Sequence, residues 1–174
     1  MGNYKLVSRL QRLLFKSRAA RFLEIRQVTQ LNKGKITPLV DRIAKLNEKG
    51  RLLIFEEIKN LGNYKHQPLK RVYILKLNEE KRPLGISTIK DRIIQCLMKY
   101  ILESVYEAYA SNGSWGFRPG RSTWDWDVMM NIFFNLRQPS TNYKKRSLEL
   151  DIEKYFDKIN HVELMNEIHL PIQM

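Results

Sequence analysis

Three short segments of this sequence bring together residue types that could do chemistry. In the run LELDIEKYFD, Leu148 to Asp157, the carboxylate of Asp151 closes an apolar stretch and opens a helical pattern. A carboxylate at the end of a strand can offer oxygen ligands to Mg²⁺, and paired Mg²⁺ ions can align a hydroxyl with a phosphate for phosphoryl transfer. Read alone, Asp151 also suits a helix N-cap. The second segment is a hairpin pattern with Lys76 and Arg82 near its turn and Gly85 in its second arm. Two cations and a residue without a side chain can grip a phosphate, although Lys and Arg on a hairpin also serve as solvated edge protection. The third is the run GFRPGR, Gly116 to Arg121. Its glycines and proline set a tight basic turn that either touches a nucleic-acid backbone or simply joins two helices.

These segments need elements to position them. Tyr4 to about Leu23 reads as one basic amphipathic helix, with Leu6, Leu10, Leu13, Leu14 and Phe15 on its apolar side and Arg9, Arg12, Lys16, Arg18 and Arg21 around the rest. Asn32, Gly34 and Pro38 mark a loop that carries Lys33 and Lys35. A helix is expected from Leu39 to about Asn47, punctuated by Gly50, with helical pattern resuming over Leu52 to Ile58. Arg71 to Leu77 and Arg82 to Ile86 read as a β-hairpin, with Pro83 at an edge. Thr88 and Asp91 form a capping pattern for a helix running to about Tyr109, whose stripe is Ile89, Ile93, Leu97 and Ile101. Ser122 and Asp125 repeat that pattern before a helix ending near Arg137. Pro139 to Lys145 reads as a linker, Ser147 to Ile152 as a strand, and a further helix follows.

Composition bounds the partners. The 174 residues carry a formal net charge of +13, unevenly spread. Residues 1–75 hold 17 Lys and Arg against 5 Asp and Glu, whereas residues 76–174 hold 14 against 13. A self-repelling surplus confined to one part of a chain points to a polyanion, with nucleic acid ahead of an anionic membrane surface. The single cysteine, Cys96, excludes an internal disulfide framework and reads as a small buried side chain. There is no run of roughly 18 apolar residues to span a membrane.

Taken in order, the segments resemble group II intron reverse transcriptase/maturases. Leu69 to Lys76 with Lys81 to Gln95 is similar to the family's first fingers motifs. Gly116 to Ser122 resembles the next block, and Leu148 to His161 the block that carries the first catalytic aspartate. Ser17 to Gly34 is similar to the family's N-terminal extension. The sequence departs from the pattern at Leu75 and Ser87, where the family favours Pro, at Trp115 in place of Tyr, and at Leu150 in place of Gly. The later Tyr-x-Asp-Asp block has no counterpart, since no Asp-Asp pair occurs in these 174 residues.

The resemblance implies an α+β fold: a helix-rich fingers domain with a small antiparallel hairpin and the start of a palm. It divides the chain into a basic RNA-binding extension over 1–68, fingers over 69–145 and palm from 146. It implies that Asp151 is a catalytic and metal-binding carboxylate, with the Ile152 carbonyl as a second ligand to Mg²⁺. Lys76 and Arg82 would hold an incoming triphosphate, and Phe156 would screen against a ribose 2′ hydroxyl. Intron RNA would meet Arg9, Arg12, Lys16, Arg18, Arg21, Lys33, Lys35, Arg118 and Arg121. The implied activity is RNA-directed DNA polymerisation. With one of the metal carboxylates present, the expectation for the isolated chain is RNA binding without primer extension, the alternatives being a subunit completed by a second chain or a degenerate reading frame. A composition rich in Lys, Asn and Ile fits an A/T-rich organelle genome, chloroplast before mitochondrion, or a bacterial cytoplasm.

Overall fold

A computed structural model of the chain describes residues 4–32, 46–61, 64–75, 81–136 and 148–168. The Leu39–Asn47 helix, most of the loop with Lys33 and Lys35, the hairpin turn with Lys76 and the Pro139–Lys145 linker fall outside these residues, in whole or in large part. The fold is helix-rich α+β, with one two-stranded antiparallel sheet.

The single N-terminal helix anticipated from the sequence is two helices: α1, Tyr4–Lys16, and α2, Arg18–Arg26. Ser17 separates them. Its extended backbone cannot continue α1, and its Oγ accepts a hydrogen bond from the Ala20 amide at 3.3 Å, which caps α2. A π-helical turn, Gln27–Leu31, follows directly, and Thr29 Oγ1 donates to the Ile25 carbonyl at 2.7 Å. Helix α3, Glu48–Glu57, starts from Asn47, whose Oδ1 accepts from the Gly50 amide at 2.8 Å. Gly50 is therefore inside the first turn of α3 and terminates nothing.

Strands β1, Lys70–Leu75, and β2, Lys81–Ile86, pair antiparallel, with Tyr73 opposite Pro83 and Ile74 opposite Arg82. Pro83 is tolerated because its missing N–H faces no third strand among the described residues. Thr88 then caps α4, Ile89–Tyr109, which ends where the sequence placed its end. Helix α5, Thr123–Leu136, opens on a reciprocal box in which Ser122 and Asp125 bond each other's side chain and amide. Helices α6, Tyr155–Lys158, and α7, His161–Glu167, complete the described chain.

The chain divides into two compact units, residues 1–105 with 169–174, and residues 106–168, and each is described by itself. In the first, Ile25 and Val28 meet Phe55 and Ile58 of the α3 region and Ile89, Ile93 and Ile94 of α4. A second cluster joins Ala20 to Leu97 and Ile101, with Leu14 and Phe15 against it. Packing thus runs straight across position 68. Cys96 lies partly buried beside the first cluster, and that burial pushes its thiol pKa up, as suits a packing residue. Along α1 only part of the anticipated apolar side is covered: Leu14 and Phe15 reach the core, while Leu6, Leu10 and Leu13 stay exposed.

The second unit is more open. Trp124, Trp126, Val128, Met129 and Ile132 of α5 are all exposed, and Tyr106 ties α4 to α7 by donating to the Glu167 carbonyl at 3.1 Å. The strand expected over Ser147–Ile152 is not one. Residues 148–152 have no regular structure, because a strand exists only through a hydrogen-bonded neighbour and β1 and β2 are paired with each other.

Candidate nucleic-acid interface and catalytic carboxylate

Arg9, Arg12 and Lys16 recur at spacings of three and four, so they share one stripe of α1, and all three are exposed. Lys5 extends the stripe. Arg18, at the start of α2, is exposed too and has its guanidinium carbon 5.9 Å from the centre of the Phe55 ring. Arg21 differs. It is 6 % exposed, its Nε donates to the Phe15 carbonyl at 3.1 Å, and burial holds its pKa below the usual guanidinium value. Arg21 thus braces the α1–α2 corner, whereas the other α1 and α2 cations named for RNA are exposed. Lys33 and Lys35 lie outside the described residues.

On the hairpin, Arg82 is exposed at its pairing position opposite Ile74. Lys76 lies outside the described residues. Gly85 faces Leu69, where an added Cβ would sit 3.1 Å from Leu69 Cδ1, so the glycine's smallness serves a contact within the chain.

One site residue went unread in the sequence except as a cap. Asp91 is 3 % exposed and its carboxylate accepts three hydrogen bonds, from the Tyr64 hydroxyl on Oδ1 and from the Thr88 hydroxyl at 2.6 Å and the Gln67 amide at 3.4 Å on Oδ2, while its own amide donates to Thr88 Oγ1 at 3.1 Å. A buried carboxylate is tolerated only with such a donor set. It pins residues 64–67 to the start of α4. A cleft of about 380 Å³ opens beside it, lined in part by Glu57, Lys65 and Lys90.

In the second unit the GFRPGR turn gathers both of its arginines inward. Arg118 Nε and Nη2 clasp the Glu107 carboxylate, and its Nη1 donates to the carbonyls of Ser111 and Ser114 at 2.5 and 2.9 Å. That clasp holds the Glu107 carboxyl below the usual carboxylate range and raises the Arg118 pKa. Arg121 Nη1 donates to the carbonyls of Asn112 and Ser114, and its guanidinium stacks 4.8 Å over Trp115. Both guanidinium groups are engaged by backbone carbonyls of the same turn. Phe117, between them, points fully into solvent at φ 58°.

Asp151, Ile152 and Phe156 are all exposed, and Phe156 meets Tyr155 edge to face at 5.4 Å. Lys154 adopts φ 53°, which turns the chain sharply between Asp151 and α6. Mg²⁺ prefers an octahedral shell of oxygens. Among the described residues no group of three or more His, Cys, Asp or Glu could hold a metal, so Asp151 supplies one donor side chain and not a site. No helix among them is long and apolar enough to cross a membrane.

The described residues form a helix-rich α+β fold with one small antiparallel sheet, preceded by basic helices. Two family descriptions match in order: "N-terminal domain of reverse transcriptase" over residues 1–58 and "Reverse transcriptase (RNA-dependent DNA polymerase)" over residues 70–171. Maturase-like protein 1 of Euglena gracilis is 37% identical over 93% of this chain and 35% of its own length. Protein YkfC of Escherichia coli is 33% identical over 92% of this chain and 43% of its own. Group II intron-encoded protein LtrA of Lactococcus lactis is 37% identical over 82% of this chain and 23% of its own. The chain belongs to the group II intron maturase/reverse transcriptase family. It spans less than half the length of each of these relatives, and the family's chemistry uses a divalent metal.

Proposed function

We propose that this chain binds group II intron RNA through its N-terminal helices and assists splicing of that intron. The supporting observation is the exposed stripe of Lys5, Arg9, Arg12 and Lys16 with Arg18 beside it, in a segment of 17 cations and 5 anions. Helix α1 packs by Leu14 and Phe15 against Ala20, Leu97 and Ile101, so the charges are presented from a fixed surface. Phosphate contacts of this kind release counterions, so affinity falls steeply with salt. The test is RNA binding by fluorescence anisotropy across a salt series. Wild type should show a log–log slope of several units. The variant K5Q/R9Q/R12Q/K16Q should lose roughly three units of it, at about 0.7–0.9 per phosphate contact. A flat wild-type slope, or an unchanged variant, overturns the reading.

RNA-directed DNA polymerisation is the activity we assign to the family architecture, with Asp151 and the Ile152 carbonyl as metal ligands, Lys76 and Arg82 on the triphosphate and Phe156 beneath the sugar. A polypeptide of these 174 residues contributes Asp151 without an Asp-Asp pair. That stretch alone should therefore extend no primer. We place the protein in an organelle, chloroplast before mitochondrion, on its Lys-, Asn- and Ile-rich composition.

A further inference from the structure

We propose that Phe117 is a stacking platform for an unpaired base of single-stranded nucleic acid. This rests on the RNA-binding reading above but assigns a separate contact of different chemistry. Phe117 is 104 % exposed, so both faces of its ring are open. Its φ of 58° lies in the left-handed region, which is unfavourable for a bulky residue. Something must hold it there. Arg118 does so on one side through Glu107, Ser111 and Ser114, and Arg121 on the other through Asn112, Ser114 and Trp115. Gly120, at φ 67°, supplies the second left-handed turn. The ring is thus held outward by a braced loop, and little freedom remains to be lost on binding.

The surroundings select the ligand. Its neighbours along the turn, Gly116, Pro119 and Gly120, are exposed, and an added Cβ at either glycine would meet nothing within 4 Å. Nor does the turn offer a phosphate site, because Glu107 answers Arg118 and Asp125 lies close enough to feel Arg121. A ring open on both faces in a charge-balanced loop fits a planar heteroaromatic face. Stacking of this kind is worth roughly 1–3 kcal/mol per base and tolerates any sequence.

The test uses the whole 174-residue chain and a labelled 12-nucleotide oligo(U), with duplex RNA of equal length as control. Phe117→Ala and Phe117→Leu should each weaken oligo(U) binding roughly 5- to 100-fold, without changing the salt slope or duplex binding. Phe117→Tyr should bind like wild type. Equal binding by Phe117→Ala, or full retention by Phe117→Leu, overturns the proposal while the RNA reading stands on the α1 variant. Loss of a wild-type dimer in Phe117→Ala, with oligo(U) binding intact, makes the ring a protein contact and also overturns it. If wild type binds no RNA at any salt, the RNA reading itself falls and this inference with it.

Discussion

The N-terminal helices and the GFRPGR turn both carry clustered arginines, and they use them in opposite ways. On α1 the cations ride on a helix whose backbone is already hydrogen-bonded, so Arg9, Arg12 and Lys16 extend into water. In the turn, carbonyls left without helical partners at Ser111, Asn112 and Ser114 draw Arg118 and Arg121 inward. Arg21, at the break between α1 and α2, follows the turn's rule and not the helix's. A cation's role is thus decided by whether an unpaired backbone acceptor lies within its reach, which residue counting does not register.

The contrast can be broken by removing what each region stands on. Phe55→Ala should have the largest effect, about 3–5 kcal/mol by chemical denaturation, since Phe55 is 2 % exposed and stacks on Phe22 at 4.1 Å. RNA affinity should fall with it, because α2, which carries Arg18 and follows directly on α1, packs on Phe55 through Phe22 and Ile25. Next, K5Q/R9Q/R12Q/K16Q should weaken RNA binding about a hundredfold at low salt yet leave the melting temperature within a degree or two. Arg118→Ala should do the reverse, exposing residues 111–121 to limited proteolysis while the salt slope keeps its wild-type value. If Arg118→Ala flattens the slope instead, the comparison is wrong. Asp91→Asn should cost roughly 1–3 kcal/mol, read from urea unfolding, because one acceptor oxygen becomes a donor facing donors.

Acid should act least and most locally. The clasp with Arg118 depresses the Glu107 carboxyl, and hydrogen bonds from Ser122 depress that of Asp125. A carboxylate whose folded pKa is lowered contributes stability that is fully present above its unfolded value and lost as pH falls through the folded one. Protease resistance of the turn should therefore hold at neutral pH and decline below the ordinary carboxylate range. The double variant E107Q/D125N should show no such decline, and a wild-type-like decline there would place its origin elsewhere.

Local chemistry was legible in the sequence. The Thr88 and Ser122 boxes each work over three residues, and the hairpin register follows from strands that are neighbours in the chain. What escaped depends on distance. Asp91 meets Tyr64 from 27 residues away, and Arg118 finds Glu107 from 11 away, with nothing in either spacing to announce the pair. The Ser17 break was readable, since Ser before Arg-Ala-Ala is a good cap, but the continuous run of basic and apolar residues masked it. Alternation over 147–152 was real, yet pairing is a property of two segments and one sequence window shows only one of them. The roles assigned to Asp151, Arg82 and Phe156 rest on the family pattern, and the structure adds that all three are open to solvent.

The π-helical turn at Gln27–Leu31 has a consequence for inheritance. It closes its hydrogen bond from Asn32 back to Gln27, one residue further than an α-helical turn would. Deleting Gln30 would let the segment relax to ordinary helical spacing while Ile25 and Val28, upstream, keep their places in the core. Insertions and deletions of a single residue should therefore accumulate at this point among related chains, in an otherwise length-intolerant helical region.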